Sequence, residues 1–538
     1  MGLHRPETIS SGRFHWLPVF KADLERLARW TRGEVHPLKI DIAGWGGAER
    51  LLDAREVTLD IETSMDGKRI HLVGLAGESG PAHVLPWGSE ARDLLQELVR
   101  REVLLIGHNL TFDLTCLSQA GVEFPEGQKV YDTLHATSLL LPDYYKGLGR
   151  VASVYLDLYP WKHLARVDRV RYNATDVLVT RALKGRLEGL IAEAGMTGLM
   201  QTVNARLLPW ARMSQRGMRV DLAQLDVWKR DTARRLEEAR IEWEKYAAVP
   251  LGSVAKVGRY FYGKARSAGW LEDEALGRLA LRRPEKLAAA MAYSRWRRVK
   301  READVRIEPD ADGLIHPVWM PYDPERGGKT TLEPDLALLG PVGRRMIVPR
   351  QKDHRIWVLD YGDTFTELLF SKENTMVGVD AVRSKATLEG FLRRWSAGSL
   401  AARLTIKGFT TTVKQAEGLY ERFREASPRL TAWVKAVERE GVEKGFLTNS
   451  YGRVRYFYGN RMEEGEPVGA TVHEMVEWMV ESNMEDRMRV NSEGWTIGRY
   501  AVGEGEDSPV DYMGWHPHEN WQAAIDASEP LPKLGEPR

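Results

Sequence analysis

The sequence predicts an α/β protein built from several domains, and three observations carry that reading. A chain of 538 residues is too long for one compact core, on a usual domain size of roughly 100–200 residues. Short β-rich runs, Val57–Thr63 and Val103–Gly107, lie among helical stretches in the first third. From about residue 197 the chain turns helical, with long charged segments at 222–245 and 272–304. Hydrophobic residues make up 43% and charged residues 28%, which excludes a largely disordered or fibrous chain. With 77 basic and 76 acidic residues the net charge is +1, so local patterning must identify any polyanionic partner. The single cysteine, Cys116, excludes an internal disulfide, and no apolar run is long enough to span a bilayer. The expected compartment is therefore reducing and cytoplasmic, with no membrane partner. The opening residues, MGLHRPETISSGRFHW, lack the apolar centre of a secretory signal.

The first third concentrates acidic residues in a pattern that points to metal chemistry. In Val57-Thr58-Leu59-Asp60-Ile61-Glu62-Thr63, the period of two puts Asp60 and Glu62 on one face of a strand. The apolar run Val103-Leu104-Leu105-Ile106-Gly107 reads as a buried strand leading into His108-Asn109-Leu110-Thr111-Phe112-Asp113, with Asp113 on the first turn of a helix. In Arg171-Tyr172-Asn173-Ala174-Thr175-Asp176-Val177, a spacing of four brings Tyr172 and Asp176 to one helical face. Four carboxylates gathered together repel one another unless a cation compensates them. Hard divalent ions take oxygen ligands, and two of them can activate water and stabilise a departing phosphodiester oxygen. His108 is expected to be structural, because such sites use oxygen donors, and Asp132 is expected to cap the next helix.

The stretches LDIET, HNLTFDL and YNATD resemble the three motifs of the DEDD exonuclease family in its tyrosine-bearing branch. All five expected residues occur in order over about 120 residues. The resemblance implies an RNase H-like 3′–5′ exonuclease domain, a mixed sheet flanked by helices, at residues 45–195, preceded by an extra element at 1–44. It implies two Mg²⁺ or Mn²⁺ ions: Asp60 shared between them, Glu62 and Asp176 on the nucleophile side, Asp113 acting through water, and Tyr172 positioning the attacking water. Asn109 and Phe112 are then expected to touch a single-stranded DNA 3′ end.

The remaining two thirds resemble the family A DNA polymerases, the bacterial polymerase I group, in their phage type. Residues 196–305 would be a helical thumb, in which Arg295-Trp296-Arg297-Arg298 offers Arg297 and Arg298 to phosphates. Residues 306–538 would hold an antiparallel-sheet palm and helical, partly reduced fingers. The stretch Gly328-Lys329-Thr330-Thr331-Leu332, followed by Arg355-Ile356-Trp357-Val358-Leu359-Asp360-Tyr361, resembles the lead into polymerase motif A. It implies metal binding by Asp360 and DNA contact by Lys329. Gly445-Phe446-Leu447-Thr448-Asn449-Ser450-Tyr451-Gly452-Arg453 resembles the turn after the fingers, implying DNA contact by Arg453. The chain also departs from the family. Glu367 needs a small insertion to reach the sugar-screening position, the phosphate-binding spacing of the fingers is absent, and no His-Asp-Glu triplet occurs, with Glu504 and Asp507 as displaced acids near its expected place.

The expected function is template-directed DNA synthesis with 3′–5′ proofreading in a phage-infected bacterial cell. Its partners would be primer-template DNA, dNTPs and replisome proteins. Two alternatives remain open: an exonuclease fused to a polymerase-like DNA-binding part that has lost synthesis, and a non-catalytic DNA-binding protein of the replisome.

Overall fold

The computed structural model of the chain describes residues 17–501 apart from 45, 65–66, 68, 126, 324–328, 350–378, 380, 470, 488–495 and 498–499. Asp360, Glu367, Glu504 and Asp507 lie outside the described residues.

The N-terminal part is built on a six-stranded sheet of order β1-β4-β3-β2-β5-β6. Its strands are β1 (Ile42–Ala43), β2 (Glu56–Thr63), β3 (Ile70–Ala76), β4 (Ala82–Pro86), β5 (Leu104–Gly107) and β6 (Val130–Asp132). The sheet is mixed. β2, β3 and β4 form an antiparallel meander, while β5 and β6 add in parallel to β2, and β1 adds in parallel to β4. Parallel addition needs a crossover, and helices Ser89–Arg100 and Leu110–Gln119 supply the two here.

The alternation of β2 divides its side chains between two faces. Val57, Leu59 and Ile61 enter a core with Leu95, Leu98 and Val99 of one crossover helix and Leu110, Leu114 and Leu117 of the other. Asp60 and Glu62 lie on the opposite face, against the long helix Arg169–Glu193. That helix packs Ala174, Val177 and Leu178 on Ala76, Ala82 and Val84 of the sheet. Further along, its Val179, Leu183 and Leu187 join Ile106, Ala136, Leu139 and Val151. At roughly 1.5–3 kcal/mol per fully buried large aliphatic side chain, these two layers hold the helix firmly on the sheet.

Beyond this unit the chain is mainly helical. Leu222–Glu244 and Leu287–Ala303 pack together, joined by Trp228 Nε1 and Arg235 Nη2, which donate to the two oxygens of buried Glu302 at 3.0 and 2.9 Å. Trp243, Phe261 and Tyr293 form an aromatic core at the far end of the pair. The segment expected as one helix over 272–304 is divided into Asp273–Arg282, a short 3-10 turn at Pro284–Lys286, and Leu287–Ala303. Pro284 explains the break, because it disfavours helical backbone at Arg283, which sits at φ −136° and ψ 78°. The following region carries small antiparallel units: Met218–Val220 between Leu314–Ile315 and Ile347–Val348, and the hairpins Val318–Asp323/Lys329–Glu333 and Phe446–Thr448/Val454–Tyr456. Helices Val413–Ala426, Pro428–Lys444 and Val472–Arg487 accompany them.

Candidate metal centre

Asp60, Glu62 and Asp176 converge so that one carboxylate oxygen from each lies within 4.8 Å of the other two. The first two come from alternate positions of β2, and the third from the second turn of the Arg169–Glu193 helix. That helix starts where it does because Asp168 caps it, accepting from the Arg171 N–H at 2.9 Å. Asn173, on the same face as Asp176, donates from Nδ2 to Asp60 Oδ2 at 2.7 Å and to the Asp60 carbonyl at 3.2 Å. Space for Asn173 comes from Gly74, which pairs with Asp60 across β2 and β3. A Cβ at Gly74 would lie 2.7 Å from Val177 Cγ2 and closer still to Asn173 Oδ1.

Asp113 reaches the cluster from the other crossover. Its Oδ1 accepts from the Ile61 N–H at 3.0 Å, the residue between Asp60 and Glu62, so it stands beside the three acids rather than among them. The turn before its helix depends on Asp132. Both oxygens of that buried carboxylate are used, accepting from the N–H groups of Asn109 at 2.9 Å, Leu110 at 2.8 Å and Leu134 at 2.8 Å. Asp132 thus caps the Thr133–Leu140 helix, and it also holds Asn109 in left-handed backbone at φ 68°, a conformation asparagine tolerates.

The electrostatics follow from this crowding. Burial first, then Asp113, Asp176 and Glu62, push the Asp60 carboxyl well above the ordinary carboxylate range. Burial and then Asp176 raise Glu62 to about 7. Burial raises Asp113 to about 8, against the opposing hydrogen bond from Ile61. A lysine offsets part of the repulsion. Lys162 Nζ donates to both oxygens of Asp176 at 2.9 Å and to the Tyr172 hydroxyl at 3.0 Å. Burial alone would lower the Lys162 ammonium, but Asp176 and Tyr172 outweigh it, and the group is held above its usual value. Trp161 Nε1 donates to Asp176 as well.

The donor set is oxygen only, anionic, and short of positive charge, which fits a hard divalent cation such as Mg²⁺ or Mn²⁺ and not a soft one. His108 lies nearby but is committed elsewhere, its ring nitrogens at 2.9 Å from Thr133 Oγ1 and 2.7 Å from the Lys146 carbonyl. Burial lowers its imidazole to about 4, keeping it neutral.

Of the residues singled out from sequence, Asp60, Glu62, Asp176, Tyr172 and Asp113 are gathered at one place. Asn109 lies at the rim of the same turn, and Phe112 is half-buried against the neighbouring core and Gly67. Arg297 is turned into the protein, paired with Glu272 at 2.5 Å and Asp273 at 3.8 Å, whereas Arg298 is exposed. Lys329 begins a strand of the Val318–Asp323 hairpin. Arg453 is half-buried in the turn of the Phe446–Tyr456 hairpin, close enough to lower the His135 imidazole after burial and Arg206 have done so. Asn173, Lys162 and Trp161 are not identified by sequence reasoning. Asn173 carries a signal, since it precedes Asp176 by three residues on one helical face. Lys162, in a 3-10 turn, carries none.

No family model matches the chain. Its fold is similar to that of the POL domain of Pol1 from M. smegmatis, solved in complex with DNA primer-template and dNTP. The TM-score is 0.61 at 15% identity, covering 84% of this chain and 86% of that one. In sequence it is weakly homologous to DNA polymerase I of Treponema pallidum (strain Nichols), 22% identical in an alignment of 457 residues that covers 74% of this chain. The chain spans less than half of that relative, 45% of its length. Among the described residues, no helix is long and apolar enough to cross a membrane.

Proposed function

We propose that this chain is a family A DNA polymerase-like protein that shortens DNA from its 3′ end at the Asp60 cluster. The observation that carries the nuclease part is the convergence of Asp60, Glu62 and Asp176, with Asp113 and Tyr172 adjoining, on a mixed six-stranded sheet. In this reading Asp60, Glu62 and Asp176 hold the metal ions, and Asp113 contributes through water. A divalent ion bound there supplies water acidification and charge neutralisation at the phosphate.

The chain's own residues supply the rest. Tyr172, with its hydroxyl anchored by Lys162, orients the attacking water from one helical turn away. Asn173 fixes the Asp60 carboxylate by donating to one of its oxygens. Lys162 provides positive charge beside the phosphate as negative charge develops on it. The strand end lies near Asn109 and Phe112.

Synthesis from dNTPs on primer-template DNA, with Mg²⁺ at Asp360, is proposed on the homology and on the likeness to a polymerase domain solved with those ligands. Arg298, Lys329 and Arg453 are the proposed DNA contacts in this part, while Arg297 is taken up by Glu272 and Asp273. The missing His-Asp-Glu triplet favours a second reading, in which the polymerase-like part holds DNA without extending it. Primer extension with four dNTPs and Mg²⁺ separates the two: extension lost in Asp360→Ala supports synthesis, and background extension by the wild type supports the clamp.

A further inference from the structure

The segment leading into the site helix carries charge that the carboxylate cluster does not use. Between Leu158 and Arg171 the chain bears Lys162, His163, Arg166, Arg169 and Arg171 against one acid, Asp168, whose carboxylate is spent capping the helix. Lys162 is engaged at the cluster, but Arg166, Arg169 and Arg171 are exposed and form no ion pair among the described residues. The same segment exposes apolar surface: Tyr159 is 75% and Val167 81% accessible, so neither side chain contributes to a core. A row of cations with an exposed ring is the combination that holds single-stranded nucleic acid, phosphates on the guanidiniums and a base on the aromatic face.

Continuity with the cluster gives this surface its direction. Tyr172 and Asp176 follow Arg169 and Arg171 directly on the same helix, and Lys162, at the start of the 3-10 turn Lys162–Arg166, reaches from that turn to the carboxylates. Arg169 is also near enough for its charge to act on Glu62. A strand whose last phosphodiester lies at the carboxylates therefore meets these side chains within its next few nucleotides.

We infer that Tyr159–Arg171 is the landing surface for single-stranded DNA feeding the cluster, with Arg166, Arg169 and Arg171 on its phosphates and Tyr159 stacked on a base. This rests on the exonuclease reading of the cluster and extends it to the path of the strand.

The test is binding without catalysis. The full chain in EDTA is titrated against fluorescein-labelled (dT)12 by anisotropy at several salt concentrations, for wild type, Arg166→Ala/Arg171→Ala, Arg166→Lys/Arg171→Lys and Tyr159→Ala. The double alanine variant should bind about tenfold more weakly, with the slope of log K against log salt shallower by about 1.4, at about 0.7 for each phosphate no longer neutralised. The lysine pair should keep the slope, and Tyr159→Ala should weaken binding about tenfold with the slope unchanged, since stacking is uncharged. Affinity and slope equal to wild type in the double alanine variant overturn the inference, as does weaker binding with an unchanged slope. Release of mononucleotides by the wild type with Mg²⁺ tests the nuclease separately: salt-dependent binding without release keeps the surface and removes the nuclease.

Discussion

Gly74→Ala disturbs the candidate metal centre from behind without touching any of its acids. Gly74 faces Asp60 across β2 and β3, and its missing side chain is the space that Asn173 and Val177 occupy. A methyl group there comes within 2.7 Å of Val177 Cγ2 and nearer to Asn173 Oδ1, distances that real Cβ atoms do not show, so the Asn173 and Val177 side chains have to shift. Overpacking of this kind costs about 1–3 kcal/mol. The displaced Asn173 also loses its bond to the Asp60 carboxylate, a charge-assisted interaction of about 1.5–3 kcal/mol. A shift of about 1 Å in a catalytic group lowers rates on the order of a hundredfold. The variant should therefore melt several degrees lower, by roughly 2–4 °C per kcal/mol for a domain of about 150–250 residues. It should release mononucleotides from a 3′-labelled strand about a hundredfold more slowly, while its affinity for primer-template stays at the wild-type level. A Gly74→Ala chain with unchanged melting and an unchanged nuclease rate refutes the claim that the glycine makes room for the site.

Two further outcomes follow from the crowding of charge. Glu62, raised to about 7, and Asp113, raised to about 8, bind protons in the folded chain that the unfolded chain releases at lower pH. Folded stability in EDTA should therefore fall as pH rises from about 6 to about 8.5, a trend that Mg²⁺ should erase by replacing those protons; a metal-free melting temperature that rises over this window contradicts the assignment. Asp132→Ala removes the acceptor of three N–H groups, one buried and two partly buried, and should cost at least about 2 kcal/mol, with the nuclease rate falling because the Asp113 helix loses its anchored start. Denaturant unfolding and the mononucleotide assay read both effects, and near-wild-type values in both would show that the turn holds itself.

The parts of the site that are legible in the sequence are those set by local periodicity. Alternation along Val57–Thr63 is enough to pair Asp60 with Glu62, and a spacing of four is enough to pair Tyr172 with Asp176. The gap between these segments is a matter of packing: Gly74 leaves no local mark, and the position of Asn173 on the Asp176 face of its helix does not reveal its bond to Asp60. Lys162 is similarly silent: a lysine in a polar turn looks like any solvated lysine until the fold lays it on Asp176. The break at Pro284 is readable from the proline itself but is hidden by the helical pattern on either side. Arg297 shows the limit of reading basic runs, since a guanidinium that pattern alone offers to phosphate is taken up by Glu272 and Asp273.

Anomalous scattering from crystals soaked in Mn²⁺ shows most directly whether these acids, distant in sequence, share divalent cations at one point. A Mn²⁺ peak within coordination distance of oxygens from Asp60, Glu62 and Asp176 is expected, and it should be lost in Asp60→Asn. Crystals in which these carboxylates point apart, or in which Mn²⁺ binds elsewhere and leaves the three without an ion, contradict it.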